Sequence, residues 1–454
     1  MALLSLEHMA APQGDLERRT LSKATWRLIP FLFLLYVVNI LDRANIGIAK
    51  LQMLDDLAMS EAAYGLGAGI FYVGYLLFEV PSNLILHRVG ARAWLARILV
   101  TWGLISSAMM FVTGPWSFYA LRVLLGVAEA GFFPGVILYL SHWFPARERA
   151  RAVAKFMTAA VIASLVGNPI SGAILHYMNQ AGGLAGWQWV FLLEGIPAVV
   201  LGFVTLKYLT DRPAQAHWLT TDERDWLAQR MAWEEGEREQ RHGLGLLESL
   251  AYPRLWLLIA IYFTVAFGDN CYGFFLPSIL KDRLPLWNDF EIGLVAAVPS
   301  VMAITGMVLI GANSDRTGER RWHVAGPAFL ATAGWVLVAY APSPWLAVLG
   351  LALASTGMKS MLPTFWTLPT AFLSGTGAAA GIALINSVAN LGGLVGPIAI
   401  GRIKDDTGSF TIGLLVIAVL LAAGGALVLT VRHDSTLENT QSRGAVAPLV
   451  NAEE

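Results

Sequence analysis

Residues 28–50 read LIPFLFLLYVVNILDRANIGIAK, and how this stretch is read decides the fold. The apolar run 28–38 begins a membrane helix, yet Asp42 and Arg43 stand side by side within it. A charge at the bilayer centre costs about 2.5 to 3.5 kcal/mol on insertion scales, so chains that keep one there generally use it. Of the 454 residues, 56% are apolar and only 14% charged, against roughly 25% charged in an average soluble domain. The chain is therefore read as an all-α polytopic membrane protein. Windows of about 20 apolar residues, the length a helix needs to cross the hydrocarbon, can be placed twelve times: 26–48, 62–86, 94–112, 116–140, 152–177, 187–209, 255–280, 291–312, 323–341, 345–371, 376–400 and 410–431.

Lysine and arginine near helix ends set the orientation. Arg18, Arg19, Lys23, Arg88, Arg92, Arg147, Arg149, Arg151, Lys155, Arg316, Arg320, Arg321 and Arg432 fall on one side, against Lys50, Lys281, Arg283, Arg402 and Lys404 on the other. Both termini are expected in the cytoplasm, with the first helix as an uncleaved anchor, because residues 1–23 lack an apolar core of signal-peptide length. A net charge of −1 gives no reason to expect a nucleic-acid partner, and a single cysteine, Cys271, excludes an intrachain disulfide and a cysteine-based zinc site. The polar connection from Thr210 to Pro253 divides the chain in two, and Thr220 with Glu223 forms a capping-box pattern within it. The expected parts are a tail 1–25, a six-helix bundle 26–209, a cytoplasmic linker 210–254, a second bundle 255–431 and a tail 432–454.

The halves repeat. RVGAR at 88–92 matches RTGER at 316–320, an offset of 228 residues. The same offset carries Gly65-Leu66 onto Gly293-Leu294, Phe144 onto Phe372, Ala150 onto Ala378 and Pro169-Ile170 onto Pro397-Ile398. Five matches in one register indicate a duplicated six-helix unit, an arrangement that in transporters places substrate at the junction of the copies. In each R-x-G-x-R the glycine (Gly90, Gly318) permits a tight turn. The arginines (Arg88, Arg92, Arg316) are read as a gating latch, with Glu79 as acidic partner of the first copy and Asp315 of the second.

Charges well inside the expected spans are Asp42, Arg43, Glu79, Arg122, Glu129, Glu194, Asp269 and Lys359. Six of these eight fall in the first, fourth, seventh and tenth helices, as a polar chamber lined by those helices would require. Arg122 and Glu129 are seven residues apart, so they share a face about 10.5 Å apart along it. Asp42 and Arg43, about 100° apart around the helix, cannot both face the chamber. Glu79 and Glu194, beside VPSN and GIP, read as structural carboxylates.

The stretches LDRANIG, GYLLFEVPSNLILHRVGARAWLARI, LRVLLGVAEAGFFPGVILYLSHWFP, GWQWVFLLEGIPAVVLG and YLTDRPAQAHWL resemble the anion:cation symporter family of the major facilitator superfamily. The resemblance runs over roughly residues 20–430 and is most specific in the first half. It implies two pseudo-symmetric six-helix bundles in a bacterial inner membrane, importing a small organic anion, such as a sugar acid, a hydroxydicarboxylate or an aromatic acid, with protons as coupling ion and no cofactor. By resemblance Asp42 and Glu129 are proton carriers, Arg43 and Arg122 contact the anion or pair with those acids, and Tyr75 and Asn390 line the cavity. Asp269 and Lys359 rest on the symmetry of the halves alone, and Trp366, with Phe71 or Tyr72, can stack an aromatic acid. A monomer in the bilayer is expected. An anion exporter or exchanger on the same scaffold stays open, since fold does not fix function. A membrane enzyme or receptor is disfavoured, for the chain has no H-E-x-x-H, G-x-S-x-G or P-loop.

Overall fold

A computed structural model describes residues 4–240, 253–370 and 375–431. The tail 432–454, Phe372 and part of the linker lie outside the described residues, as do the side chains of Arg147, Ala150 and Ala378. Among the described residues, twelve helices are long and apolar enough to cross a membrane: α1 (Asp15–Asp56), α2 (Glu61–Val89), α3 (Ala91–Phe111), α4 (Pro115–Trp143), α5 (Arg151–Tyr177), α6 (Gly186–Tyr208), α7 (Pro253–Arg283), α8 (Asp289–Thr317), α9 (Trp322–Tyr340), α10 (Pro344–Pro369), α11 (Leu384–Thr407) and α12 (Thr411–Thr430). Each expected window overlaps one of these helices, although α1 runs well beyond its window at both ends.

The α4, α5 and α10 spans are each interrupted, α5 at Thr158 and α10 at Trp366, and the break in α4 bears on the site. α4 breaks after Glu129, where Ala130 is extended and Gly131 takes φ +87°. A Cβ on Gly131 would stand 2.4 Å from Ser82 Oγ, so both the turn and the contact with α2 require glycine. Pro134, which has no backbone N–H to continue the ladder, follows in the first turn of the new segment. Glu129 is thus the last residue of a helical segment at mid-depth.

Within the first half α3 packs on α6, α1 on α5 and α6, and α2 on α4. In the second half α9 packs on α10, α8 on α10, α7 on α11 and α9 on α12. The halves meet through α2 against α11, α5 against α8 and α1 against α7. The first two pairs are exchanged by the repeat, and its glycines are where they touch. A Cβ on Gly65 would lie 2.2 Å from the Pro397 carbonyl oxygen, and one on Gly293 would lie 2.5 Å from that of Asn168.

Among the described residues, the hydrogen bonds between the halves lie from mid-depth to the end away from the linker. The Asp405 carboxylate accepts from the backbone N–H groups of Glu61 (3.0 Å) and Ala62 (2.8 Å), capping α2 from the other half. Gln52 donates to Asp289 (2.9 Å), Tyr64 to the Phe274 carbonyl (3.0 Å), Asn168 to the Ala296 carbonyl (3.4 Å) and Tyr72 to Asn270. Lys50, which the sequence offered only as a topology marker, is 3% exposed there. It pairs with Glu61 at 2.5 Å under the rings of Tyr64, Phe275 and Phe410. The two halves are closed on each other at this end, and no hydrogen bond between two described side chains joins them at the linker end.

The linker helix (Thr221–Gln240) begins with the expected capping box: Thr220 N–H donates to Glu223 Oε2 (3.0 Å) and Glu223 N–H to Thr220 Oγ1 (3.4 Å). It docks on the first half. Lys23 donates to both Glu223 oxygens (2.6 and 2.9 Å), Trp218 stacks on Trp143 (5.3 Å between centroids), and Arg27 lies over Tyr208 and Trp218. Burial works against ionisation of Glu223, but the hydrogen bonds from Lys23 and Thr220 prevail and hold its carboxyl below the usual range.

Candidate functional site

The charges of α1 leave it on two faces. Asn39 and Arg43, four residues apart, point toward the end of the first segment of α4. There Glu129 Oε1 accepts from Asn39 Nδ2 (2.6 Å) and from Arg43 Nε. Glu129 is 1% exposed, whereas the Arg43 side chain keeps 28% of its surface open. The guanidinium lies 4.9 Å from the Tyr75 ring centre and 5.3 Å from that of Phe71, a cation–π shelf supplied by α2. An ion pair with its acid sealed and its cation accessible is the part of this cluster that can meet a solute.

Asp42 faces the other way. Its oxygens accept from Trp102 Nε1 (2.6 Å) and Ser106 Oγ (2.8 Å) of α3 and, more weakly, from Asn45 Nδ2 (3.4 Å). It is 2% exposed. Of the two neighbours that cannot face the chamber together, Arg43 is therefore the accessible one and Asp42 the one held against another helix. Arg122 does not reach the opening either: its Nε donates to the Gly67 carbonyl (3.0 Å) and its Nη2 to that of Ala68 (3.1 Å), with Phe71 4.9 Å from the guanidinium. Two turns of α4 separate it from Glu129, so it fastens α4 to α2 beneath the shelf on which Arg43 rests.

In the second half Lys359 of α10 and Asp269 of α7 pair at 2.6 Å, with 27% and 32% of their side chains open. Next to Asp269, Asn270 accepts from Tyr72 one turn along α2 from Tyr75, tying this pair to the level of the shelf. Asn390 on α11 is half-buried and makes no side-chain hydrogen bond among the described residues. Trp366 is not brought to this cluster. It packs edge-on to Tyr262 and Phe365, 4.9 and 5.4 Å away, where α10 is interrupted.

The R-x-G-x-R loops lie at the linker end, each bonded within its own half. Gly90 and Gly318 have φ of +98° and +68°, as tight turns require. The first copy's acid is Asp211, not Glu79: Asp211 Oδ1 accepts from Arg92 N–H at 2.8 Å, and Oδ2 lies 3.7 Å from Arg92 Nε. Glu79 is nine residues before Arg88 on the same helix, about 13 Å away along the axis. In the second copy Asp315 pairs with Arg320 at 2.7 Å, while Arg316 is exposed. The two copies do not bond to each other in this conformation among the described residues.

Sequence reasoning missed Asn39, Trp102, Ser106 and Asp211. Asn39 sits four residues before Arg43, a spacing that could have paired it with the same acid. Trp102 and Ser106 are brought in by a helix distant in the chain and Asp211 by the stretch after α6, and a tryptophan in an apolar span carries no mark of a carboxylate partner.

Comparisons with known proteins agree with this architecture. A family model described as Major Facilitator Superfamily matches residues 32–397, with a second match over 258–452. A putative tartrate transporter of Agrobacterium vitis is 51% identical over 93% of this chain and 93% of its own length. The putative metabolite transport protein NicT of Pseudomonas putida is 46% identical over 90% and 93%. Among solved structures, a bacterial homologue of the human lysosomal transporter Spinster, inward-facing and occupied, superposes with a TM-score of 0.72 at 16% identity, covering 93% of this chain and 98% of that one.

Proposed function

The chain belongs to the major facilitator superfamily, and from that premise we propose that it imports a small organic anion together with protons by alternating access. The observation that carries this reading is the Arg43–Glu129 pair on its aromatic shelf. While Glu129 is ionised it occupies Arg43 Nε and neutralises the cation. A proton on Glu129 removes the competing charge, and the guanidinium fork becomes free to take a carboxylate bidentately. Substrate and proton then favour each other's binding, which is the thermodynamic content of symport.

Asp42 has indole, hydroxyl and amide donors but no cation among its hydrogen-bond partners. An unpaired buried charge is costly, so a proton is its natural counter-charge and it serves as the second carrier. Lys359, with Asp269, offers a second cation from the other half. Two protons entering with a monoanion carry one net positive charge inward, a gain of roughly 2.3 kcal/mol per 100 mV, whereas with a dianionic dicarboxylate the same two protons make the step electroneutral and leave the pH gradient as its drive. The relative named for tartrate supports a hydroxydicarboxylate as the solute. The basic linker end is assigned to the cytoplasm of a bacterial inner membrane, which makes an arrangement closed at the outer end the substrate-releasing state.

The test is transport in liposomes. Glu129→Gln should still exchange labelled tartrate across the membrane but lose accumulation driven by a pH gradient. Full accumulation by that variant, or unchanged affinity in Arg43→Lys, would overturn the reading. Tartrate efflux against its gradient with inward proton flow would favour an exporter instead.

A further inference from the structure

The Asp269–Lys359 pair differs from the other buried charges in what it leaves unused. Lys359 Nζ on α10 sits side-on to the Asp269 carboxylate on α7, 2.6 Å from Oδ1 and 2.8 Å from Oδ2. Among the described residues neither group has another hydrogen-bond partner, and both side chains stay partly open. The acids of the first half are filled instead: Glu129 accepts from Asn39 and Arg43, and Asp42 from Trp102, Ser106 and Asn45. An ammonium carries three hydrogens and a carboxylate roughly four lone-pair sites, so the pair keeps a free donor beside a free acceptor.

That mixed edge lies beside the Arg43 shelf. Asn270, next to Asp269, is fixed at both ends of its amide: Nδ2 donates to the Ala266 carbonyl (2.8 Å), and Oδ1 accepts from Tyr72. Tyr72 packs edge-on to Phe71, 5.2 Å between centroids, and Phe71 with Tyr75 carries the Arg43 guanidinium. The Tyr72 hydroxyl is within electrostatic reach of both Arg43 and Asp269. A solute that engages Arg43 with one end can therefore present its other end to the pair.

A carboxylate alone satisfies only the lysine. A group that satisfies both has an anionic oxygen and a hydrogen-bond donor on neighbouring carbons, which describes a 2-hydroxycarboxylate. A 2-aminocarboxylate has the same spacing, but its ammonium would approach Asp269 against the charge of Lys359, and a neutral hydroxyl meets no such repulsion. We propose that the Asp269–Lys359 pair reads the 2-hydroxycarboxylate end of the substrate: Lys359 holds that carboxylate and Asp269 accepts the hydroxyl hydrogen, while Arg43 holds the far carboxylate. This deepens the proposed function, since it rests on Arg43 as anchor of one carboxylate and makes the hydroxyl, not only the second charge, a requirement.

A hydrogen bond to a charged acceptor is worth about 10- to 100-fold in affinity, and a site built to bond a hydroxyl penalises the analogue that lacks it. Malate, succinate and aspartate share one four-carbon dicarboxylate frame and differ in a hydroxyl, a hydrogen or an ammonium at carbon 2. Calorimetric titration of the full chain in lipid nanodiscs, taking the better-bound enantiomer where there are two, should give malate a Kd lower than either of the others by that factor. In Asp269→Leu/Lys359→Met, which removes both charges at once and leaves neither unpaired, malate and succinate should bind more weakly and alike.

A wild-type protein that binds succinate or aspartate as tightly as malate overturns the proposal, and this comparison carries the test if the double variant does not fold. A folded double variant that keeps the malate preference overturns it as well; a merely structural pair would lower the folded yield and leave the preference in place. The two failures are distinct. Malate and succinate binding alike, both weakened in Arg43→Lys, overturns only the role of the pair. No binding of any of the three acids, or affinities that Arg43→Lys leaves unchanged, overturns the carboxylate reading of the site itself.

Discussion

Gly65→Ala, alone and with Gly293→Ala, should open the closed end of the protein. A Cβ on Gly65 would stand 2.2 Å from the Pro397 carbonyl oxygen and one on Gly293 2.5 Å from that of Asn168, where real Cβ contacts do not fall below 3.0 Å. The obstacle in both cases is helix backbone, not the end of a flexible side chain, so α2 must move from α11 by about 0.8 Å, and α8 from α5 by about 0.5 Å. Overpacking of this kind costs about 1 to 3 kcal/mol per site. The cost falls only on states in which this end is shut, so each substitution should shift the closed-to-open ratio about 5- to 150-fold. Spin labels at Asp55 and Asp406, exposed at this end in opposite halves, report the separation by pulsed dipolar spectroscopy in a Cys271→Ala background. Gly311→Ala, where nothing lies within 4 Å of the new Cβ, is the control. A folded double variant whose distance distribution matches that of the control would refute the claim that these glycines are the close contacts of the closed end.

Three further outcomes are expected. Lys50→Met should lower thermal stability by about 2 kcal/mol or more, because Glu61 loses its partner; the double variant Lys50→Met/Glu61→Gln should recover part of it, and strict additivity in that cycle would show that the pair is not coupled. Gly131→Ala should cost about 2 kcal/mol in thermal unfolding, from the positive φ and the 2.4 Å approach to Ser82, whose hydroxyl accepts from Trp94; a loss below about 0.5 kcal/mol would contradict the strained break. Docking of the linker helix should depend on pH. Since the folded Glu223 carboxyl is held below its ordinary value, its contribution is complete above the unfolded value of about 4.3 and is lost as pH falls through the folded one. Hydrogen exchange over residues 221–234 should therefore accelerate at acid pH in the wild type and be faster at neutral pH in Glu223→Gln; equal protection in both proteins would exclude the Lys23–Glu223 anchor.

What the chain of amino acids settled unaided follows from the solvent it must live in. Hydrocarbon accepts only helices that satisfy their own backbone, so apolar length fixed twelve spans, and the offset of 228 residues exposed the duplication. The capping box at Thr220 and the turns at Gly90 and Gly318 were legible for the same reason: each is decided within a few residues. Tertiary structure alone decided which way the buried charges point. Asp42 and Arg43 are adjacent in the chain, yet one is held by Trp102 and Ser106 and the other by Glu129, because helices far apart in the chain supply the donors and acceptors. It also decided that Arg122 binds backbone, that Asp211 replaces Glu79, and that the matched glycines close one end. Periodicity reports which residues share a helix face, but a buried polar group is satisfied by whatever packing brings within about 3 Å, and that is a property of the assembled bundle.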